Sequence, residues 1–229
     1  MLLRIATYNI HRWAGRDGVE APERITAVLQ GINADVAALQ EVSFESRNSC
    51  NALTDLGRAM RARVLAGPTL LQGRQHYGNA VLTRFAPRRV KRLNLSIPGR
   101  EPRGAIAFEL TLNTRSVRIV ATHLGLRPSE RWAQMQRLLA LLDNRAPADV
   151  TILLGDFNEW YAWSRPLRWV RRHFGRLPAP GTFPSWHPLL ALDRIWVKPT
   201  GRLQSLRPYR REPATIASDH LPLIATVRL

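Results

Sequence analysis

A single cysteine, Cys50, and only two lysines, Lys91 and Lys198, occur in this sequence of 229 residues. One cysteine excludes an internal disulfide framework and any cysteine-built zinc module, and Cys50 reads as a passive residue. No apolar run approaches the roughly 18–20 residues that a membrane-spanning helix requires. No repeat, low-complexity tract or Pro/Gly/Ser-rich linker divides the chain, which reads as one domain over residues 1–229. The start, MLLRIATYNI, turns polar too soon for a secretory leader, and the expected location is cytoplasmic. Acidic residues are also scarce, 17 against 34 basic ones, for a formal charge of +17. Hydrophobic residues nevertheless make up 45% of the chain, enough for a substantial core.

With two lysines, nearly all of the positive charge is arginine. The guanidinium fork donates two parallel hydrogen bonds to a phosphate, and a strongly basic chain attracts polyanions over the screening length of the solution. Three stretches concentrate the charge, at 84–92, 165–176 and 202–211. The second interleaves arginines with Trp169 and Phe174. Such patches suit a nucleic-acid backbone gripped without sequence readout. An arginine bias spread over a solvated surface accounts for the charge equally well.

Periodicity places strands at Leu2–Tyr8, Val36–Gln40, Ala80–Thr83, Ala105–Leu112, Val117–Thr122, Thr151–Leu154, Ile195–Val197 and Leu223–Val227. Ala105–Leu112 and Val117–Thr122 read as a hairpin across 113–115. Helices are expected at Pro22–Ile32, with proline in its first turn, after a capping Ser129, and over Trp160–Phe174. Strands with interspersed helices suit two stacked sheets covered by helices.

Polar residues break the pattern where apolar strands begin or end. Asn9 follows the first strand, Gln40-Glu41 the second, Thr122-His123 another, and Asp156-Phe157-Asn158 the strand at Ile152–Leu154. Asp193 and Ser218-Asp219-His220 stand just before strands. If these ends share one edge, carboxylates and two histidines crowd together, which needs a cation or protons to neutralise them. Glu41, Asp219, Asp156 and the carboxamides of Asn9 and Asn158 are hard oxygen ligands suited to Mg²⁺ or Mn²⁺. The histidines lack a zinc-ligand spacing.

Seven short strings occur in order: Thr7-Tyr8-Asn9-Ile10-His11, Gln40-Glu41, Gly78-Asn79-Ala80, Thr122-His123-Leu124, Gly155-Asp156-Phe157-Asn158, Leu192-Asp193-Arg194-Ile195 and Ser218-Asp219-His220-Leu221-Pro222. With them the chain resembles the endonuclease/exonuclease/phosphatase superfamily of metal-dependent phosphoesterases, from residue 2 to residue 227. The resemblance implies an α/β fold, a four-layer α-β-β-α sandwich of two mostly antiparallel sheets flanked by helices, like deoxyribonuclease I. It implies Glu41 as principal metal ligand with Asn9 and Asp219 near the same ion. Asp156 and Asn158 would line the scissile phosphate, Asp156 orienting or deprotonating water. His220 would pair with Asp193 and face the phosphate, and His123 would occupy a catalytic position. Asn79 falls where several members place a polar substrate contact. Arg100 and Arg103 are equal candidates for an arginine that approaches a phosphate. Which histidine acts as acid stays open.

The expected activity is Mg²⁺-dependent hydrolysis of phosphodiesters in DNA or RNA by in-line attack of water. The alternatives are a phospholipid or inositol-phosphate substrate, with the basic surface on anionic headgroups, and an inactive nucleic-acid-binding module. No membrane-inserting amphipathic segment stands out, no obligate protein partner is implied, and a monomer is expected. Past His123 the asparagine of apurinic endonucleases is missing, which argues against strict abasic-site repair. Trp132, Trp160, Trp163 and Trp169 lie at helical spacings and read as core. Trp13 and Trp186 lie near motifs and are the aromatics placed to stack on a base.

Overall fold

A computed structural model describes residues 1–45, 51–72, 75–143 and 147–229; Cys50 lies outside them. Eleven strands and five helices occur among the described residues. The first unit is β1 (Leu2–Asn9), α1 (Pro22–Ile32) and β2 (Val36–Glu45). Then come α2 (Ala52–Ala59), β3 (Arg63–Gln72), β4 (Gln75–Thr83), β5 (Arg88–Asn94) and β6 (Gly104–Leu112). A second strand–helix–strand unit follows: β7 (Arg115–His123), α3 (Pro128–Asp143) and β8 (Val150–Asp156). α4 (Arg165–Phe174), β9 (Asp193–Lys198), β10 (Leu203–Pro208), α5 (Ala214–Ala217) and β11 (Leu223–Arg228) complete the order.

The strands form a six-stranded sheet, β10-β11-β1-β2-β4-β3, and a five-stranded sheet, β5-β6-β7-β8-β9. Each contains one parallel pair, β1–β2 and β7–β8, and the remaining pairs are antiparallel. Both parallel pairs are joined through a helix, as a parallel connection requires. Inward residues such as Ile5, Val36 and Val81 meet Ile106, Phe108, Ile119 and Ile152 between the sheets. α1, α2 and α5 cover the outer face of the first sheet, and α3 and α4 cover that of the second. The result is the expected α-β-β-α sandwich.

The strong local patterns hold. α1 buries Ile25, Val28, Leu29 and Ile32, and stops at Asn33 in the left-handed conformation, a residue type that tolerates it. The β6–β7 hairpin turns at Asn113 and Thr114, both with positive φ, as a two-residue turn between twisted strands demands. β5 and β10, at sheet edges, lack an apolar signature, while β3, also at an edge, is apolar but is interrupted by Gly67-Pro68. β5, with the sequence RRVKRLN, is almost wholly exposed; charge on an edge discourages pairing with a second chain. Two helix boundaries need correction. Ser129 lies inside α3, which starts at Pro128, and does not cap it. The helix expected from Trp160 begins only at Arg165, with Pro166 in its first turn, leaving 160–164 as a loop.

Strand direction decides where chemistry gathers. Parallel register pairs Asn9 with Gln40 and His123 with Asp156, so both pairs finish at one edge. β9 runs antiparallel to β8 and opens there, Asp193 opposite Asp156. β11 runs antiparallel to β1, which brings the preceding Ser218–His220 segment to the same edge.

Candidate active site

Local backbone geometry aims two of the carboxylates. In β2 the register against β4 shifts between Leu39 and Val42, so Gln40 and Glu41 together oppose Asn79. Glu41 sits in this bulge with φ of 56°, an unusual state for a glutamate that turns its side chain out of the ladder. The glycine before Asp156 is also explained: Gly155 has φ of 146°, and a Cβ there would lie 1.9 Å from the Thr122 carbonyl oxygen. Only glycine lets β8 approach β7 this closely.

Asn9 ties the two sheets' contributions together. Its Nδ2 donates to Glu41 Oε1 and to Asp156 Oδ2, both at 3.0 Å, while its Oδ1 accepts from the His11 N–H. The Ser218 hydroxyl lies 2.7 Å from the Asn9 carbonyl oxygen and holds the last loop against β1. His220 Nδ1 is 2.7 Å from Asp193 Oδ2, and the Thr182 hydroxyl donates to the same oxygen at 2.6 Å. The other imidazole nitrogen of His220 faces Asp156 Oδ2 at 3.8 Å. His123 Nε2 approaches that oxygen at 3.6 Å. Thus Asn9, Glu41, Asp156, Asp193, His123 and His220 form one connected group, with Asp219 beside its Ser218 anchor.

Burial separates the charge states of these groups. Burial itself raises Asp156 to about 6; the His220 charge opposes this, Asp193 adds to it, and hydrogen bonds from Asn158 and Asn9 limit it. For His220, burial alone depresses the imidazolium, but the charge and hydrogen bond of Asp193, with Asp156 and Asp219 behind them, outweigh it and lift it to about 10. His123 goes the other way. Burial first, then the charges of Arg103 and His220, hold it well below the ordinary histidine value. The two histidines, equivalent by sequence, are a cation and a neutral ring at pH 7.

The remaining candidates divide. Arg103 is buried, donates from both terminal nitrogens to Glu101 and reaches His123 Nδ1 at 3.3 Å. Arg100 turns instead to α3, where it pairs with Glu130; of the two arginines, Arg103 is the one in the group. Asn158 donates its side-chain N–H to the Leu124 carbonyl and lies 3.0 Å from His123 Nε2, packed against that side of the ring. Asn79 donates to the Gly104 carbonyl across the sheets. Arg12 was not singled out by sequence. It follows Asn9 in a turn where His11, Arg12 and Trp13 all have positive φ, and its guanidinium covers the Tyr77 ring at 4.6 Å. The only signal for it is its place three residues after a motif asparagine.

The tryptophan readings need the largest correction. Trp132 (38% exposed), Trp160 (54%) and Trp163 (73%) are not core residues, and Tyr161 and Leu126 beside them are also exposed. Trp13 cannot stack on a substrate, since it is buried and donates to the Ser43 carbonyl. Trp186, by contrast, is exposed, on the loop where the Ser185 N–H donates to the Asp219 carbonyl. For Trp160 and Trp163 the helical spacing misled because 160–164 forms no helix, whereas Trp132 does lie in α3 but on its outer side, against Trp169. A buried ion pair holds this aromatic rim: Arg131 donates to Glu159 at 3.0 Å, each side chain 3% exposed, and to the Leu126 carbonyl. Glu159→Ala leaves a buried guanidinium uncompensated and is expected to cost about 3–5 kcal/mol. Denaturant titration measures this; a loss under about 1 kcal/mol, the range of surface pairs, refutes the structural role.

The geometry also bears on where a divalent cation fits. The ligand atoms of Asp156, Asp193 and His220 lie within 4.8 Å of one another. His220, however, is committed to Asp193 and held as a cation, and an imidazolium has no lone pair for a metal. Glu41 suits an ion better. Among the described residues its one hydrogen-bond partner is the neutral Asn9 amide, and it forms no ion pair. A half-buried carboxylate without a basic partner, joined through the Asn9 amide to the buried Asp156, fits a hard cation.

Buried acid and imidazole groups assembled at one edge of a four-layer sandwich are the equipment of a hydrolytic phosphoesterase. Residues 6–220 match the Endonuclease/Exonuclease/phosphatase family, and the chain belongs to that family. Its members are usually hydrolytic phosphoesterases that depend on a divalent metal. YbhP, an uncharacterized protein of Escherichia coli K12, is 30% identical over 254 residues, covering 99% of this chain and 96% of YbhP. An endonuclease/exonuclease/phosphatase structure from Beutenbergia cavernae superposes with a TM-score of 0.80 at 20% identity, over 100% of this chain and 72% of the other. Truncated TDP2 of Caenorhabditis elegans superposes with a TM-score of 0.69 at 18% identity, over 100% and 98%. Those two likenesses concern the fold. Among the described residues no helix is long and apolar enough to cross a membrane.

Proposed function

We propose that the protein is a divalent-metal-dependent phosphodiesterase that hydrolyses nucleic acid. The observation that carries the reaction is the cationic His220, held by Asp193, facing Asp156, which is deprotonated above pH 6. Asp156 accepts a proton from water as the water oxygen attacks phosphorus in line. The P–O bond to the leaving group breaks, and the leaving oxygen takes a proton from His220. Arg103, in contact with His123, is the guanidinium that meets the negative charge developing on the phosphate oxygens. His123, neutral and wedged between Asn158 and Arg103, is a positioning residue. Glu41, Asn9 and Asp219 would hold Mg²⁺ or Mn²⁺, whose chemistry is Lewis-acid stabilisation of phosphate charge.

Nucleic acid is supported by the rim beside the site. Trp160, Tyr161 and Trp163 offer stacking faces, and Arg165 approaches the Trp169 ring at 5.9 Å, the combination that grips single strands. The same exposed rim, with Leu126 and Leu189, favours a second reading, a phospholipid headgroup presented at a bilayer. Turnover of a single-stranded oligonucleotide, supercoiled plasmid and anionic phospholipid vesicles, each with Mg²⁺, separates the two. Excess EDTA is expected to abolish turnover, and Mg²⁺ or Mn²⁺ to restore it. Undiminished turnover in chelator refutes the metal dependence.

A further inference from the structure

The outer face of the six-stranded sheet is only partly covered. α1 packs over β1, β2 and β4, while the outward residues of β10 and the adjoining part of β11 carry no helix. There the sheet forms the floor of a bay of about 470 Å³, the size of a small-molecule cavity. Cross-strand register builds its floor: Arg4 pairs with Thr226, Thr226 with Ser205, and Ile224 with Arg207. Two hydroxyls therefore lie between two guanidinium groups. The last turn of α1 is one wall and the 208–211 segment, with Arg210 and Arg211, the other. The walls touch where Tyr209 crosses Gly31; its hydroxyl would lie 2.3 Å from a Cβ at that position.

Charge in the bay is unbalanced. Basic residues outnumber acidic ones 34 to 17, so many arginines lack a carboxylate partner, and what sets this bay apart is that four of them line one concavity. Among the described residues Arg4, Arg207, Arg210 and Arg211 have none. The nearby Asp35 accepts from the Arg4 backbone N–H and faces Arg84, and Glu212 accepts from Thr215. Arg4 donates to the Ile32 carbonyl, which offsets the negative end of the α1 dipole that would otherwise oppose an anion. Four arginines line one concavity, and among the described residues no carboxylate lies within ion-pair distance of them. One phosphate engages one or two forks, so four call for linked phosphates. The two walls suit a compact ligand rather than a passing strand.

We propose that this bay binds a linear oligophosphate of two or three linked phosphates, free or carried on a nucleoside. The site is separate from the candidate active site and does not depend on the proposed hydrolysis. The test is calorimetric titration of the full-length protein in EDTA at about 0.15 M salt, where exposed long-range attraction is screened. The probes are inorganic triphosphate, a nucleoside triphosphate and a single-stranded oligonucleotide. One-to-one triphosphate binding is expected, weakened at least about tenfold in R207A/R211A through loss of charge-assisted bonds. Gly31→Ala keeps every charge but displaces Tyr209, and is expected to weaken binding as well. Arg88→Ala/Lys91→Ala, on the exposed edge strand β5, should leave it unchanged. Tighter binding of the nucleoside form assigns the natural source to a nucleotide, and equal binding assigns recognition to the phosphates alone. Indifference to R207A/R211A or to Gly31→Ala, an equal loss in the β5 variant, or an oligonucleotide that outcompetes triphosphate at these arginines overturns the proposal.

Discussion

Asp193→Asn is expected to reduce phosphodiester turnover by about 10²- to 10⁴-fold, the range that a positioned proton donor contributes, with the protein still folded. The carboxylate does two things. It fixes the imidazole orientation through the 2.7 Å contact with Nδ1, and its charge is the largest influence opposing the cost of burying the imidazolium. An amide of the same shape retains the packing and can still accept from Thr182 Oγ1, yet removes the largest charge that favours the His220 imidazolium, so the ring is a weaker proton donor. Groups that act as a unit are not additive. Asp193→Asn/His220→Ala should therefore be no slower than His220→Ala alone. Measured kcat/KM on a small chromogenic phosphodiester decides: fully multiplicative losses would show two independent roles and sink the pairing.

The second large effect is expected at the aromatic rim, on a different substrate dependence. Trp160→Ala/Trp163→Ala should raise KM for a single-stranded oligonucleotide by about 5- to 150-fold, the equivalent of one lost stack at about 1–3 kcal/mol. The small chromogenic substrate, which does not reach the rim, should be turned over at an unchanged rate. Both tryptophans are more than half exposed, so their removal leaves no cavity and stability should hold. If both substrates suffer alike, the loop acts by supporting Asn158 and not by contacting substrate. If the oligonucleotide is unaffected while vesicle-bound phospholipid turnover falls, the lipid reading replaces the nucleic-acid one.

These expectations rest unequally on what was legible in the linear chain. Asn9, Glu41, Asp156, Asp193 and His220 stood out because polar residues at the ends of apolar strands are costly unless used, and their order along the chain matched a known pattern. Arg12 carried no such mark, and Arg100 could not be told from Arg103, because both lie in the one loop between β5 and β6 and only the fold shows that one meets Glu130 and the other His123. The tryptophans misled for a related reason. Spacing of three or four predicts a buried face only if a helix forms, and Pro166 starts α4 after Trp163, not before it.

What the amino-acid sequence determined by itself was local: apolar periodicity for the central strands and α1, the turn at Asn113-Thr114, the glycine before Asp156, the excess of arginine, and the identity of the groups available for chemistry. The tertiary structure alone decided which of them act together. Parallel pairing of β1 with β2 and of β7 with β8, packed sheet against sheet, brings residues as distant in sequence as Asn9 and Asp156 to within 3.0 Å. It also makes one histidine a cation and the other neutral, since protonation depends on burial and on neighbouring charge. The empty stretch of sheet beside α1 is likewise a property of assembly. No local pattern records where a helix stops short and leaves four arginines lining one concavity.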